Sequence, residues 1–317
     1  MTASVQLIGL DWGTSSLRAY LYDADGKVVA SRKESWGIRH LPEGGFTAAL
    51  QAVTTDWPTC RIVAAGMVGS RQGWLEVPYV ELPADAASIA RGMLRVDACQ
   101  SHELWIVPGL RRISPADVMR GEETQIIGAL ALQPHYQANT RFVLPGTHSK
   151  WATVANGRIV AFDTVMTGEM YALLMKHSIL GAGLPDSVPS FVEHAFVRGV
   201  HAARDSGAEG VFGRLFSTRA LMLAGELAAA EIPDFLSGLL IGEEFRIAKQ
   251  RDNGAIAPLC LIGEAALCQR YGIAAKSFGY TEPTMIDDAS VQGLWCVASA
   301  AGLLTDTTLH SYSGATP

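Results

Sequence analysis

Residues 5–23, VQLIGLDWGTSSLRAYLYD, and residues 141–154, RFVLPGTHSKWATV, follow one pattern. Each begins as a short apolar run with branched residues, breaks at a Gly-Thr turn, and resumes as a second strand-like run. Asp25-Gly26 follows the first and Asn156-Gly157 the second. Both dipeptides favour tight hairpins, because such turns need central residues that tolerate positive φ. Gly13-Thr14 aligns with Gly146-Thr147, Ser16 with Ser149, and Ala19 with Ala152. The copies lie about 130 residues apart, too far for a solenoid. The pattern predicts a duplication that gives two similar lobes facing each other.

Working outward, residues 61–65 read as a strand leading into GMVGSRQGW, residues 66–74. Residues 104–107 read as another strand. Residues 121–132 have helical spacing, with Ile126, Ile127, Leu130 and Ala131 on one face and Glu122 and Glu123 at the head. After the second hairpin, helices are expected over 168–180, 215–230 and 237–249. A strand at 258–262 then leads into a turn and helix, and residues 285–296 and 298–304 close the chain. Alternating strands and helices predict an α/β fold, and the hairpins make its sheets mixed, with flanking helices. We expect lobes at residues 1–112 and 113–317.

Of 317 residues, 49% are hydrophobic and 18% charged, a globular composition. The net charge of −6, with no Lys/Arg run among aromatics, argues against nucleic acid as a partner. No apolar run reaches a membrane span and the first residues lack a basic leader, so a cytoplasmic protein without membrane association is expected. Cys60, Cys99, Cys260, Cys268 and Cys296 are odd in number and scattered. They suit small core residues in a reducing compartment. The oligomeric state stays open, a homodimer being one option.

No P-loop, GxGxxG, GxSxG or HExxH motif occurs. His148 and Ser149 are adjacent on a strand and point to opposite faces, so they do not form a nucleophile–base pair. His194 and His201 lack a third partner for a metal site. DWGTSS has different promise. Gly13 lets the backbone approach a polyanion, and Thr14, Ser15 and Ser16 add hydroxyl donors. Asp11, at the strand end, can hold Mg²⁺ through water, since Mg²⁺ takes few carboxylates beside phosphate oxygens. A plain hairpin would explain one such turn; two turns, each after an apolar strand, favour phosphate.

The strand–DxGT–hairpin and its later partner resemble the two phosphate motifs of the sugar kinase, hsp70 and actin superfamily. LDWGTSSLRAYLYD, VMRGEETQIIGAL and VLPGTHSKWATV, continued by FDTVMTGEMYALL, resemble the 2-dehydro-3-deoxygalactonokinase family over nearly the whole chain. The resemblance implies a two-lobed actin-like ATPase (ribonuclease H-like) fold that uses ATP and Mg²⁺. It implies phosphorylation of the 6-hydroxyl of 2-dehydro-3-deoxy-D-galactonate in galactonate catabolism. It places Asp11, Gly13, Thr14 and Ser15 at the first phosphate motif, and Gly146, Thr147 and Ser149 at the second. Gly263 would lie under the adenosine, with Gly238 and Gly242 on the opposite wall. Related sugar kinases start the connecting helix with Gly-Asp, the Asp being the catalytic base; here the pair is Gly121-Glu122. Glu122 is the expected base, with Glu123 and Asp117 as alternatives. The 66–74 loop would hold the sugar acid through Ser70, Arg71, Gln72 and Trp74. Arg71 would grip the carboxylate, and Lys150 and Arg120 are rivals for that role. Two other readings stay open at this level: a kinase for another sugar acid or neutral sugar, and an actin-like nucleotide switch without a sugar acceptor.

Overall fold

A computed structural model describes residues 5–97, 102–182, 184, 190–251 and 257–304. Strands β1 (Val5–Trp12), β2 (Leu17–Asp23) and β3 (Val28–Glu34) form an antiparallel meander. Helix α1 (Gly45–Thr54) leads to β4 (Arg61–Ala65), which runs parallel to β1 with Val63 opposite Gly9. Next come β5 (Val80–Glu81), α2 (Ala86–Arg91), β6 (Leu94–Val96), β7 (Leu104–Ile106), β8 (Leu110–Arg112) and β9 (Asp117–Met119). Helix α3 (Glu122–Leu132) then leads into a second meander, β10 (Asn139–Leu144), β11 (Ser149–Ala155) and β12 (Arg158–Val165). Helices α4 (Thr167–His177), α5 (Glu193–Arg204), α6 (Ser217–Leu223) and α7 (Ile232–Arg251) follow. The remainder is β13 (Leu259–Leu261), α8 (Ala265–Ser277), β14 (Thr284–Met285) and α9 (Ala289–Ala300).

The two large sheets share a topology. One has strand order β3-β2-β1-β4-β7-β6, the other β12-β11-β10-β13-β14. In each, a meander is extended by a parallel strand beside its first strand, β4 in one and β13 in the other. The paired hairpins in the sequence therefore correspond to two copies of one sheet plan, mixed as expected. A small sheet, β5-β8-β9, carries the chain to the start of α3.

Helices α3 and α9 cross in backbone contact inside a core that reaches both sheets, from Leu7 and Val63 to Phe142 and Cys260. A Cβ on Gly128 would stand 1.9 Å from the Ala289 carbonyl, and one on Gly293 1.9 Å from that of Thr124. Helix α9 rests on the first sheet. The Tyr22 hydroxyl donates to the Val291 carbonyl at 2.8 Å, and Arg61 Nη1 donates to that of Leu303 at 3.0 Å.

Some elements depart from expectation. The helix expected over 215–230 is only α6, and the chain turns at Gly225 with φ 74°. Helix α7 starts earlier than expected, because Pro233 in its first turn needs no N–H partner. Cys260 and Cys268 are buried, whereas Cys60 and Cys296 are only partly so. Cys99 lies outside the described residues. No helix among the described residues is long and apolar enough to cross a membrane.

Candidate active site

The first Gly-Thr turn is held from behind by residues 36–39. Trp12 Nε1 donates to the Trp36 carbonyl at 2.8 Å. The amides of Ile38 and Arg39 donate to the Gly13 and Thr14 carbonyls at 3.1 and 3.3 Å. Gly37 lies so close that a Cβ would sit 2.2 Å from the Ser15 nitrogen. The turn's carbonyls are thus engaged, while the Thr14 and Ser15 amides find no acceptor among the described residues. Such a turn suits an anion. At the end of β1, Asp11 keeps 24% of its side chain exposed and pairs with Arg18 at 3.4 Å. Burial raises its pKa, against the pull of Arg18 and a hydrogen bond with Ser290.

Three motifs distant in sequence meet beside this turn. A Cβ on Gly66 would lie 2.8 Å from the Trp12 carbonyl, and one on Gly121 3.2 Å from Gly66 Cα. Both glycines have positive φ, 98° and 107°, which other residues rarely adopt. The 66–74 loop and the head of α3 therefore adjoin the end of β1. In that loop Arg71 and Gln72 are exposed, while Ser70 is buried and its Oγ has no partner among the described residues. Trp74 is half-buried; it stacks on Phe46 of α1 at 5.6 Å and meets Trp12 of β1 edge-on at 6.1 Å.

The three candidate carboxylates have different surroundings. Asp117 is tied to the second meander: its oxygens accept from the Thr164 amide and hydroxyl, each at 2.7 Å. Glu123 is fully buried, accepting from the Gly121 amide at 2.7 Å and the Thr124 hydroxyl at 2.9 Å. Burial, and then the neighbouring Glu122 charge, push its pKa up to about 7. Glu122 keeps 26% of its side chain exposed and lies 3.9 Å from Lys150 Nζ. Burial raises its pKa while Lys150 opposes the rise. Lys150 is buried on β11 and also donates to the Thr164 hydroxyl at 2.9 Å and the Val118 carbonyl at 3.3 Å.

At the second turn, the Glu169 amide in the first turn of α4 donates to the Thr147 carbonyl at 3.0 Å. A Cβ on Gly168 would lie 2.5 Å from the Gly146 carbonyl, so α4 begins against the turn. Thr147 and His148 are exposed, and His148 Nε2 meets Glu169 at 2.5 Å. Ser149 is a correction. As the first residue of β11 it points inward, fully buried, with its hydroxyl 2.8 Å from that of Tyr271. Its side chain is not available to a phosphate.

Gly263 adjoins this turn, since a Cβ there would lie 3.5 Å from the Pro145 carbonyl. A cavity of about 260 Å³ opens beside Gly146, lined by Gly168, Tyr171, Leu240, Leu267 and Arg270 among others. A second, of about 300 Å³, runs from Arg18 and Tyr20 past Gln125 to Gly263, Asp288 and Ser290. Gly238 and Gly242 line neither cavity. Cβ atoms there would lie 2.0 Å from the Phe196 carbonyl and 3.0 Å from that of Val200, so both serve the packing of α7 on α5. Sequence reading missed Tyr171, Leu240 and Arg270. The available signal was the helical period of α7, which sets Leu240 and Ile241 apart from the glycine stripe.

Among the described residues no group of three or more His, Cys, Asp or Glu side chains could enclose a metal. Asp11 is a single, partly exposed carboxylate beside an anion-suited turn, which fits a hydrated Mg²⁺ shared with phosphate oxygens.

A family profile described as 2-keto-3-deoxy-galactonokinase matches residues 11–297. The chain is 39% identical over 307 residues to the 2-dehydro-3-deoxygalactonokinase of Escherichia coli (strain K12), covering 95% of this chain and 99% of that protein. A crystal structure carrying the same enzyme name, from Sinorhizobium meliloti, superposes with a TM-score of 0.85 at 35% identity, covering 93% of this chain and 98% of the other. Component A of (R)-2-hydroxyglutaryl-CoA dehydratase from Acidaminococcus fermentans shares the fold alone. Its TM-score is 0.50 at 13% identity, covering 94% of this chain and 100% of that one. The fold is the two-lobed actin-like ATPase fold.

Proposed function

The chain belongs to the 2-keto-3-deoxy-galactonokinase family, and from that premise we propose that it transfers the γ-phosphoryl group of ATP to the 6-hydroxyl of 2-dehydro-3-deoxy-D-galactonate, a step in galactonate breakdown. The observation that carries this reading is the meeting of the Gly13 turn, the 66–74 loop and Glu122 at one point. Phosphoryl transfer is mostly positioning and charge neutralisation, with one carboxylate receiving the hydroxyl proton. Glu122 takes that proton, as the O6–phosphorus bond forms and the bond from phosphorus to the ADP oxygen breaks. Its raised pKa makes it a better base than an exposed glutamate, and the Lys150 charge 3.9 Å away favours its ionised form. Asp117 and Glu123 are set aside because their oxygens hold the fold together.

The amides of Thr14 and Ser15 and the turn at Gly146 and Thr147 hold the β- and γ-phosphates from two sides. The cavity beside Gly146 takes the adenosine, while Gly263 lines the second cavity on the other side of the Pro145 turn. Asp11 would hold a hydrated Mg²⁺, which supplies neutralisation of phosphate charge. The lobes divide near residues 112 and 113, with α9 returning to the first. The cytoplasm suits the reaction, since it supplies ATP and keeps cysteines reduced.

Steady-state kinetics test the reading. Wild type should phosphorylate the sugar acid, and Glu122→Gln should lose about 10²–10⁴-fold in kcat while ATP still protects it against thermal unfolding. Near wild-type turnover by a folded Glu122→Gln protein would remove Glu122 as the base. Equal turnover of neutral sugars would remove the acid as the preferred acceptor.

A further inference from the structure

We propose that Arg120, together with the Ser70 hydroxyl, receives the carboxylate of the sugar acid and thereby selects an acid over a neutral sugar. The proposal rests on the kinase reading above and deepens it. Arg120 is 9% exposed, and its Nη2 donates to the Val77 carbonyl at 2.7 Å. The guanidinium carbon lies 4.4 Å from the centre of the Tyr79 ring. Its Nε and Nη1 are buried without a partner among the described residues, as is Ser70 Oγ. One of these donors lies beside the residue that precedes Ser70 in the chain. A Cβ on Gly69 would stand 2.9 Å from Arg120 Nη1, so that nitrogen lies directly against the loop at Ser70.

The neighbouring acids do not neutralise this cation. Glu122 accepts from the Arg120 backbone amide at 3.0 Å and otherwise faces Lys150. Glu123 is committed to Gly121 and Thr124. A buried guanidinium with open donors and no counter-ion is unfavourable until an anion joins it. A carboxylate offers two acceptor oxygens and one negative charge, matching what is open here.

The rival cations fit less well. Arg71 is exposed, where water and salt weaken any discrimination. Lys150 is already shared among Thr164, Val118 and Glu122. Arg120 also immediately precedes the Gly121-Glu122 pair, so one short segment would fix both ends of an acyclic acceptor: the carboxylate at Arg120 and the reacting hydroxyl at Glu122. A neutral acceptor would leave the guanidinium buried without its anion, which is how a site built for a polar group rejects the analogue lacking it.

The test compares wild type, Arg120→Met and Ser70→Ala on the sugar acid and on its neutral analogue with the carboxylate reduced to an alcohol. Arg120→Met should raise the KM for the acid by about 100-fold and abolish the acid preference, with the KM for ATP within about twofold. Ser70→Ala should raise the KM for the acid by roughly 5–10-fold, the loss of one hydrogen bond to a charged group. A folded Arg120→Met protein that retains the acid preference overturns the proposal while leaving the kinase reading intact. If Arg120→Met does not fold, Ser70→Ala and Arg120→Lys decide in the same assay, and an unchanged KM for the acid in both overturns it. If wild type fails to phosphorylate the acid at all, the kinase reading falls and this proposal falls with it.

Discussion

Glu122 and Glu123 are the same residue type, adjacent, at the head of one helix, yet α3 gives them different surroundings. Acids at a helix start were legible in the sequence, because the helix dipole favours them there. Which one reaches the cleft was not, since that depends on what the small sheet and Gly66 pack against. Ser149 and Trp74 teach the same lesson: the motif was visible, but side-chain direction is settled by distant partners such as Tyr271 and Phe46. Glu123 makes the difference measurable. Its pKa in the fold is about 7, above the ordinary 4.5. Its contribution to stability is therefore full below about pH 4.5 and lost as pH rises towards 7, where a buried charge must form. Glu123→Gln removes that titration. The Gln oxygen can still accept from the Gly121 amide, and the Thr124 hydroxyl can turn to accept from the Gln amide. Relative to wild type, the variant should gain on the order of 1–3 kcal/mol between pH 5 and pH 8. Urea unfolding at both pH values reads this directly, and a variant that tracks wild type at both would show that Glu123 keeps an ordinary pKa.

At the scale of elements, α7 shows how one helix serves two purposes. Gly238 and Gly242 let it lie against α5, while Leu240 and Ile241 face the cavity beside Gly146. Glu244 belongs to neither stripe. It is buried and accepts from Trp151 Nε1 and the Tyr271 hydroxyl, each at 2.6 Å, and from the Thr167 hydroxyl. One carboxylate thus ties α7 to β11, α8 and the first turn of α4, the elements around the second Gly-Thr turn. Every partner is a donor, which suits an ionised acid even though burial raises its pKa. The amide of Glu244→Gln would turn an NH₂ towards those donors. The expected loss is about 2–4 kcal/mol. Because Thr167 and Tyr271 also line the cavity, the KM for ATP should rise several-fold while the KM for the sugar acid stays put. Thermal unfolding and paired KM measurements check this, and equal rises in both KM values would mean a general loosening. The strand and helix pattern around this hub was largely readable from periodicity. The hub itself was not, because the Glu pair in LLIGEEF gives no periodic sign of three donors converging on Glu244.

At the scale of the molecule, the repeated hairpins were enough to foresee two lobes, since each codes for a meander flanked by a parallel strand. They could not show how the lobes are joined. That depends on α9, which comes last in the chain but rests on the first sheet, and which crosses α3 at Gly128 and Gly293. The two helices meet with no side chain between them at the crossing point. A Cβ on Gly293 would stand 1.9 Å from a backbone oxygen, so no rotamer change can relieve it, and one helix axis must shift. That shift would carry Glu122, at the head of α3, away from Asp11, at the end of β1 in the sheet on which α9 rests. Gly293→Ala is therefore expected to lose about 3 kcal/mol or more of stability. Whatever fraction folds should show a kcat depressed beyond its loss of folded protein, because the proposed base Glu122 and the Gly13 turn no longer hold their spacing. A surface control such as Gly272→Ala on α8, where a Cβ meets nothing within 4 Å, should leave both quantities near wild type. Denaturant unfolding of the two variants, with kcat corrected for active-site concentration, separates the outcomes. A Gly293→Ala protein as stable and as fast as the control would mean that the helices can slide past each other, and that the crossing does not set the geometry of the cleft.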